Sequence, residues 1–323
     1  MNKRPLGKTG FDIAPIVFGG NVFGWTLDEK ASFDVLDAFV DHGFDAIDTA
    51  DVYSRWVAGN RGGESETIIG RWLKARPGVR DKLKIFTKVG MDLGEPGHKG
   101  LSEQWIMQAV DASLARLGIE QIDLYFSHFP DDEVAHAETL GAYAKLQQAG
   151  KIRAIGASNF NAAQLGEALR VSRVQQLPAY QVLQPEYNLY DRGSYDGALR
   201  DLCLREGLGV VTYYSLASGF LSGKYRSEAD LGKSARGDGI AKYLDARGMA
   251  ILDALDEVAG RHRVKQAEVA LAWLIARDGV TAPIASGTSR AHIESFARAA
   301  SLTLDADDLG ALDGASRAAP AAA

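Results

Sequence analysis

The sequence has 323 residues, of which 46% are hydrophobic and 24% are charged, and this composition excludes a disordered chain or a disulfide-dependent mini-protein. Thirty-six basic and 42 acidic residues give a net charge of −6 without a block of Lys and Arg, so neither a nucleic-acid nor a membrane partner is expected. The single Cys203 excludes disulfides within the chain, and no apolar run follows the charged N-terminus, so we expect a cytoplasmic protein.

Short runs of β-branched and aromatic residues alternate with amphipathic helical patterns along almost the whole chain. Eight strands are predicted in chain order, at residues 16–20, 44–49, 83–89, 122–128, 153–158, 179–184, 208–214 and 280–286. Helical patterns lie between them, for example at residues 27–42, 64–76, 102–117, 134–149 and 266–277. Strands that alternate with helices pair in parallel through right-handed crossovers, either as a closed barrel or as an open sheet.

Two patterns favour the barrel. Asp48, Lys88 and His128, at or next to the ends of three successive strands, are spaced 40 residues apart. The first strand is not followed by the glycine motif of NAD-binding open sheets. The glycines at residues 219–225 have the wrong spacing for a phosphate-binding loop. We therefore predict an α/β fold, a (β/α)₈ TIM barrel.

The expected domain is a single barrel formed by residues 1–323, with a frayed tail at residues 318–323. The LGKTG segment before the first strand predicts a β-hairpin that closes the bottom of the barrel. A long loop rich in glycine and charge, residues 215–247, follows the seventh strand, and loops of this length often close over ligands.

The active site of such a barrel lies at the carboxyl ends of its strands. Asp48, Lys88 and His128 are predicted to converge there, and Tyr53 follows Asp48 by five residues. A phenol has a pKa of about 10, and we expect the Lys88 ammonium to lower the pKa of Tyr53, while Asp48 keeps Lys88 charged. With His128 donating to a substrate oxygen, these groups would form the proton donor and oxyanion pocket that carbonyl reduction requires.

Eight segments in order resemble the aldo-keto reductase superfamily: RPLGKTGFDIAPIVFGG, DTADVYS, FTKVG, DLYFSHFP, GASNF, LQPEYNLYDR, YYSLASGFLSGKY and PIASGTS. The resemblance covers nearly the whole chain. It implies a catalytic tetrad of Asp48, Tyr53, Lys88 and His128, with Tyr53 as the general acid. It also implies NADPH as the hydride donor, lying across the barrel mouth, and a small-molecule carbonyl or alcohol as the substrate.

The resemblance further assigns cofactor-binding residues. Those implied to hold the nicotinamide are Ser158, Asn159 and Gln184 at its carboxamide and Tyr214 stacked on its ring. Those implied to cover the pyrophosphate are Ser215, Leu216, Gly219, Leu221 and Lys224. Those implied to face the adenosine ribose and its phosphate are Ser286, Gly287, Thr288 and Arg290.

The sequence departs from the common family pattern in two places. Leu216 stands where the family often has proline, and the segment SGTSRAH lacks the lysine that many members place against the 2′-phosphate. Arg290 can replace that lysine, because its guanidinium binds phosphate in a bidentate manner. NADH remains an alternative cofactor.

Aromatic residues near strand ends predict a substrate pocket with an apolar wall, formed by Phe23, Trp25, Trp56 and Phe129. The histidines lack the spacing of a metal site, so no metal is expected. The sequence does not predict the oligomeric state or the particular carbonyl substrate.

Several alternatives remain open from the residues alone. The Asp48–Lys88 pair fits a structural ion pair, and Ser158–Asn159 fits the cap of the following helix. A non-catalytic regulatory protein on the same fold, similar to channel-associated β subunits, is a second function. A Schiff-base aldolase that uses Lys88 is a third, although the adjacent Asp48 would keep that lysine charged.

Overall fold

A computed structural model describes residues 2–233 and 237–317. Eight parallel strands form a closed barrel, in which the strands pair in chain order and the last strand pairs with the first. The predicted TIM barrel is thereby confirmed, and each barrel strand lies within or overlaps its predicted range. The barrel strands are β3 (Val17–Gly19), β4 (Ala46–Asp48), β5 (Lys84–Val89), β6 (Ile122–Ser127), β7 (Ile152–Ser158), β8 (Val182–Gln184), β9 (Gly209–Thr212) and β10 (Ala282–Ala285).

The predicted N-terminal hairpin is also confirmed, with β1 (Arg4–Pro5) antiparallel to β2 (Asp12–Ile13). Its buried side chains Leu6, Phe11 and Ile13 belong to the apolar cluster that fills the barrel. The turn requires glycine at position 7, where φ is +55° and a Cβ would lie 2.3 Å from the backbone nitrogen of Gly209. The hairpin therefore packs directly against the barrel wall and closes one end.

Helices cover the outside of the barrel. They are α1 (Glu29–Asp41), α2 (Glu64–Ala75), α3 (Glu103–Leu117), α4 (His136–Gln148), α5 (Ala162–Gln175), α6 (Ala198–Glu206), α7 (Ala246–His262), α8 (Gln266–Ala276), α9 (Arg290–Ser301) and α10 (Ala306–Ser316). Helix α7 packs against both α8 and α10. None of the helices in the described ranges has both the length and the apolar character needed to cross a bilayer.

Local signals fix where these helices begin and end. The Ser102 hydroxyl accepts a hydrogen bond from the Trp105 amide at the start of α3, and Gly118, with φ of +63°, ends that helix. Asn161 and Gln164 form a capping box at the start of α5. The described residues between β9 and α7 include the 3₁₀ turns Ala217–Ser222, Glu228–Lys233 and Gly237–Tyr243. The expected tail at 318–323 lies outside the described residues.

Side-chain alternation along the strands places polar residues at one end of the barrel. Ala46, Phe86 and Phe126 belong to the cluster that fills the interior. Asp48 and Lys88 lie two residues further along β4 and β5, on the same faces as Ala46 and Phe86. The carboxyl ends of the strands therefore carry polar side chains above an apolar core, as the barrel architecture predicts.

Candidate active site

Four side chains meet at the barrel mouth. The ammonium of Lys88 donates to Asp48 Oδ2 at 2.7 Å, to the Thr49 carbonyl at 2.8 Å and to Tyr53 Oη at 2.8 Å. The Tyr53 hydroxyl lies 3.3 Å from Asp48 Oδ2, and the rings of Tyr53 and His128 are 6.1 Å apart. The structure thus brings together Asp48, Tyr53, Lys88 and His128, the four residues predicted to act together.

The loop that carries Tyr53 is held from several sides. Ser54 has a left-handed φ of +71° and donates its hydroxyl to the Phe23 carbonyl at 2.6 Å. The Asn60 side chain donates to the carbonyls of Gly24 and Ser54. A non-glycine residue with positive φ persists only where its surroundings impose it. Tyr53 is therefore presented to the mouth by a fixed turn.

The expected lowering of the Tyr53 pKa is wrong. Burial and the nearby Asp48 carboxylate raise the pKa of Tyr53 well above its ordinary value. Lys88 does donate to the phenol oxygen, but the cost of placing a phenolate in a buried site beside a carboxylate exceeds that gain. Tyr53 consequently holds its proton at neutral pH.

The other two titratable groups respond to the same burial. Desolvation lowers the pKa of Lys88, while the Asp48 carboxylate opposes that change. Burial and the charge of Lys88 lower the pKa of His128 well below its ordinary value. His128 is therefore a neutral imidazole at neutral pH, able to donate one ring hydrogen.

Asp51, a residue that sequence reasoning missed, lies directly behind this group. Both of its carboxylate oxygens are buried and lack a hydrogen-bond partner within the described residues, as does the Tyr125 hydroxyl. Burial and the Glu66 carboxylate raise the pKa of Asp51 well above its ordinary value, although Arg116 opposes this. Glu66 itself accepts from Thr87 and Arg116, each at 2.6 Å. Asp51 is thus the unpaired acid of a buried charged group.

A second polar group occupies the neighbouring strand ends. Gln184 Nε2 donates to Asp48 Oδ1 at 2.8 Å, and the Ser158 hydroxyl donates to the Gln184 carbonyl at 2.9 Å. Asn159, with φ of +63°, donates to the His128 carbonyl at 2.8 Å. These hydrogen bonds join the ends of β7 and β8 to Asp48 and His128 of the tetrad.

The aromatic ring at this point of the mouth is that of Tyr213, a residue to which the resemblance gives no role. Tyr213 packs against the barrel-filling cluster, and its hydroxyl donates to Asn159 Oδ1 at 2.6 Å. Tyr214 has φ of +51° and is 50% exposed. The geometry therefore favours Tyr213 over the expected Tyr214 as a ring that covers a flat ligand. Alternation from Val211, an interior residue of β9, already indicates Tyr213.

The chain after Tyr214 is conformationally strained. Ala217, Ser218 and Gly219 all have positive φ, between 47° and 100°. Such runs occur where backbone groups are held for a ligand. The residues expected to cover a pyrophosphate lie along this segment, where Ser215 and Leu221 are buried, Leu216 and Gly219 are partly exposed and Lys224 is exposed.

The segment after β10 lies next to this loop at the mouth, because β10 pairs with β9. The Ser286 hydroxyl donates to Asn21 Oδ1 at 2.7 Å, Gly287 is buried, and the Thr288 amide donates to His292 Nδ1 at 3.1 Å. Arg290 is directed at a carboxylate instead of open solvent, because its guanidinium contacts Asp34. The hydroxyl and guanidinium groups expected for the adenosine ribose are therefore present, but the Arg290 guanidinium already forms an ion pair with Asp34.

Three of the four aromatic residues predicted for the substrate pocket lie beside Tyr53 and His128, directly or through one another. Trp56 is 51% exposed and its ring lies 6.2 Å from that of Tyr53, while Trp25 contacts Trp56 edge to face at 5.6 Å. Phe129 is 44% exposed and stacks on His128. Phe23 is fully buried and stacks on Phe18, so its expected contribution to the pocket wall is wrong.

Comparison with known proteins agrees with this geometry. The sequence matches the family described as "Aldo/keto reductase family" over residues 15–317. It is 31% identical to "Uncharacterized oxidoreductase YrpG" of Bacillus subtilis (strain 168), over 97% of this chain and 95% of that protein. It is 29% identical to "Probable voltage-gated potassium channel subunit beta" of Arabidopsis thaliana, over 93% of this chain and 91% of that protein. It is 28% identical to "L-glyceraldehyde 3-phosphate reductase" of Escherichia coli (strain K12), over 97% of this chain and 92% of that protein.

Proposed function

The chain belongs to the aldo/keto reductase family, and from that membership we propose that it reduces an aldehyde or ketone to an alcohol, with NADPH as the hydride donor and Tyr53 as the general acid. The observation that carries this proposal is the contact of Tyr53 Oη with Lys88 Nζ at 2.8 Å and with Asp48 Oδ2 at 3.3 Å. NADH is the alternative hydride donor. The expectation that the sequence resembles this family is confirmed, and the protein is an oxidoreductase.

The side chains at the mouth suit a nicotinamide dinucleotide. Hydroxyl and amide groups on Ser158, Asn159 and Gln184 match the donors and acceptors of a carboxamide. The Tyr213 ring would stack on the nicotinamide, and Lys224 and Arg290 would face phosphate groups. The bound cofactor would supply a hydride to the carbonyl carbon.

Each tetrad residue has a distinct role in this proposal. Tyr53, whose raised pKa keeps it protonated, donates its proton to the carbonyl oxygen as negative charge develops there. Lys88 donates to the phenol oxygen and stabilises the phenolate that remains. Asp48 keeps Lys88 charged and in place. Neutral His128 donates a hydrogen bond that orients the carbonyl oxygen.

The substrate is proposed to be an aldehyde or ketone with an apolar body. Trp25, Trp56 and Phe129 surround the tetrad and offer partly exposed aromatic faces. The net charge of −6 does not favour nucleic acid as a further partner. A cytoplasmic location is proposed because Cys203 is a buried structural thiol, whose pKa burial raises to about 12.

Substitution of Tyr53 by Phe tests the mechanism. It keeps the ring and removes the hydroxyl, so turnover of an aldehyde panel, measured by NADPH oxidation, should fall about 10²–10⁴-fold while NADPH affinity stays within twofold, because general acid catalysis is lost. Tyr195→Phe is the matched control, because the Tyr195 hydroxyl bonds the Gly279 carbonyl away from the tetrad. Near-normal turnover by folded Tyr53→Phe would rule out Tyr53 as the acid.

The regulatory alternative gains support from the similarity to a protein named as a potassium channel β subunit. The same assay separates the two functions, since a sensor would bind NADPH tightly without oxidising it at an appreciable rate. The aldolase alternative is weakened, because three acceptors hold the Lys88 ammonium. A nucleophilic lysine needs a free lone pair.

A further inference from the structure

Arg290 and Asp34 form an ion pair beside the barrel mouth. Arg290 is the first residue of α9, and Asp34 lies in the middle of α1. Arg290 Nε and Nη2 both donate to Asp34 Oδ1, at 2.9 and 2.7 Å. Both side chains are 53% exposed, so the pair lies at the surface and can open to admit a ligand.

The surroundings of Arg290 are acidic. Asp34, Asp37 and Asp41 follow one another on α1 at spacings of three and four residues, which places them on one face of the helix. All three act electrostatically on Arg290, and the hydrogen bond to Asp34 raises the pKa of the guanidinium. Asp37 is itself neutralised by Arg76. An anion that approaches Arg290 therefore meets negative charge on α1.

This arrangement bears on the difference between the two nicotinamide cofactors. NADPH differs from NADH only in a 2′-phosphate on the adenosine ribose. The resemblance implies that this ribose lies near Ser286, Thr288 and Arg290, and the inference rests on that placement and on the proposed function. A 2′-phosphate would have to replace the Asp34 carboxylate on the guanidinium, whereas a 2′-hydroxyl has no need to displace it.

We propose that Asp34 is a cofactor-specificity residue. Its carboxylate binds the Arg290 guanidinium and thereby weakens the binding of NADPH relative to that of NADH. The charge of Asp34 opposes the 2′-phosphate in two ways. It competes for the same N–H donors, and it repels the dianion directly. Neither effect acts on the ribose hydroxyl of NADH.

Asp34→Asn tests this proposal through binding alone. The substitution keeps the size of the side chain and removes its charge. Dissociation constants are measured by quenching of tryptophan fluorescence, without a carbonyl substrate, for NADPH, NADH, 2′,5′-ADP and 5′-AMP. Asp34→Asn should lower the dissociation constants of NADPH and 2′,5′-ADP about three- to tenfold, because the carboxylate no longer competes with the 2′-phosphate for the guanidinium. The dissociation constants of NADH and 5′-AMP should change less than twofold.

Two further variants make the test specific. Glu29→Gln removes a carboxylate of another exposed ion pair of α1, that with Arg71, and should leave all four constants unchanged. In an Arg290→Ala background, Asp34→Asn should give a smaller gain for NADPH, since the competition for the guanidinium no longer exists.

Each contrary result has a defined meaning. Equal tightening of NADPH and NADH, no tightening of NADPH, or an undiminished gain in the Arg290→Ala background would overturn the role of Asp34. In those cases NADPH oxidation by the wild-type protein with an aldehyde would still support the proposed function. If the wild-type protein binds neither cofactor, both the proposed function and this inference fail.

Discussion

At the scale of single residues, burial determines the chemistry of the site. Tyr53, Lys88 and His128 all have pKa values displaced toward their neutral forms, and desolvation is the largest cause for each. A protonated phenol and a neutral imidazole then lie together at the barrel mouth, while the Asp48 carboxylate compensates the charge of Lys88. In the proposed mechanism Tyr53 would therefore keep its proton at neutral pH and give it only to a stronger base, such as an oxygen that is gaining a hydride.

The two adjacent tyrosines provide a prediction at this scale. Tyr213→Ala should weaken NADPH binding by about 1 kcal/mol, or roughly fivefold, through loss of ring stacking. Tyr214→Ala should change the affinity less than twofold, since that ring is half exposed. Both affinities are measured by fluorescence titration. A larger loss in Tyr214→Ala than in Tyr213→Ala would restore the assignment implied by the resemblance.

Sequence patterns located the tetrad but not its neighbours, and the reason is physical. Asp48 and Lys88 lie on strands, where alternation and parallel pairing determine direction. The resemblance assigns the nicotinamide stack to Tyr214, whereas alternation from the interior residue Val211 favours Tyr213. Asp51 lies in a loop, and an acidic residue in a loop is ordinarily exposed, so its burial follows only from the packing of Glu66, Arg116 and Tyr125.

At the scale of elements, the positions of the strands were predictable and their lengths were not. The second strand was expected at 44–49, but β4 covers only Ala46–Asp48. Phe44 leaves the strand and stacks on Phe39 at 4.7 Å, and the Asp45 carboxylate accepts from the Ala14 amide at 2.8 Å. The Ala14–Asp45 bond joins segments 31 residues apart, and the Phe44 ring packs back on the end of α1. Neither interaction is visible in the alternation of polar and apolar residues along the strand.

The hairpin that closes the barrel offers a prediction about stability. Gly7→Ala should lower the free energy of unfolding by about 1–3 kcal/mol through overpacking against Gly209, in addition to the cost of a left-handed alanine. Gly10→Ala is the matched control, because Gly10 also has a positive φ but its Cβ would meet nothing within 4 Å. Urea denaturation measures both. Equal losses in the two variants would contradict the close packing of Gly7.

At the scale of the whole molecule, buried charge makes stability depend on pH. Asp51, Glu66 and Arg116 lie together behind the tetrad, and Lys88 also acts on Asp51. A carboxyl whose pKa is raised by folding stabilises the fold at pH values below its unfolded pKa, about 3.9. That stabilisation is lost as the pH rises from there through the folded pKa. Asp51 therefore lowers the free energy of unfolding most at alkaline pH.

Asp51→Asn should remove this dependence. Because asparagine does not titrate, the variant should exceed the wild type in free energy of unfolding by about 1–3 kcal/mol at pH 8, with a smaller difference at pH 5. Urea denaturation across this range provides the measurement, and Asp12→Asn, at an exposed position of β2, is the control. A difference that shrinks as the pH rises would show that Asp51 is stabilised as a carboxylate.

The pairing of β10 with β3 also has a consequence for synthesis of the chain. The pairs Ile284–Val17 and Ala285–Phe18 close the barrel, and Ser286 then reaches Asn21. At a translation rate of about 5–20 residues per second, β10 is synthesised on the order of 13–53 s after β3. Throughout that interval one edge of β3 is open to pairing with other strands. A polypeptide released before residue 284 cannot close the ring of eight strands and lacks the Ser286 hydroxyl. The complete barrel mouth therefore forms only after β10 and Ser286 have been translated.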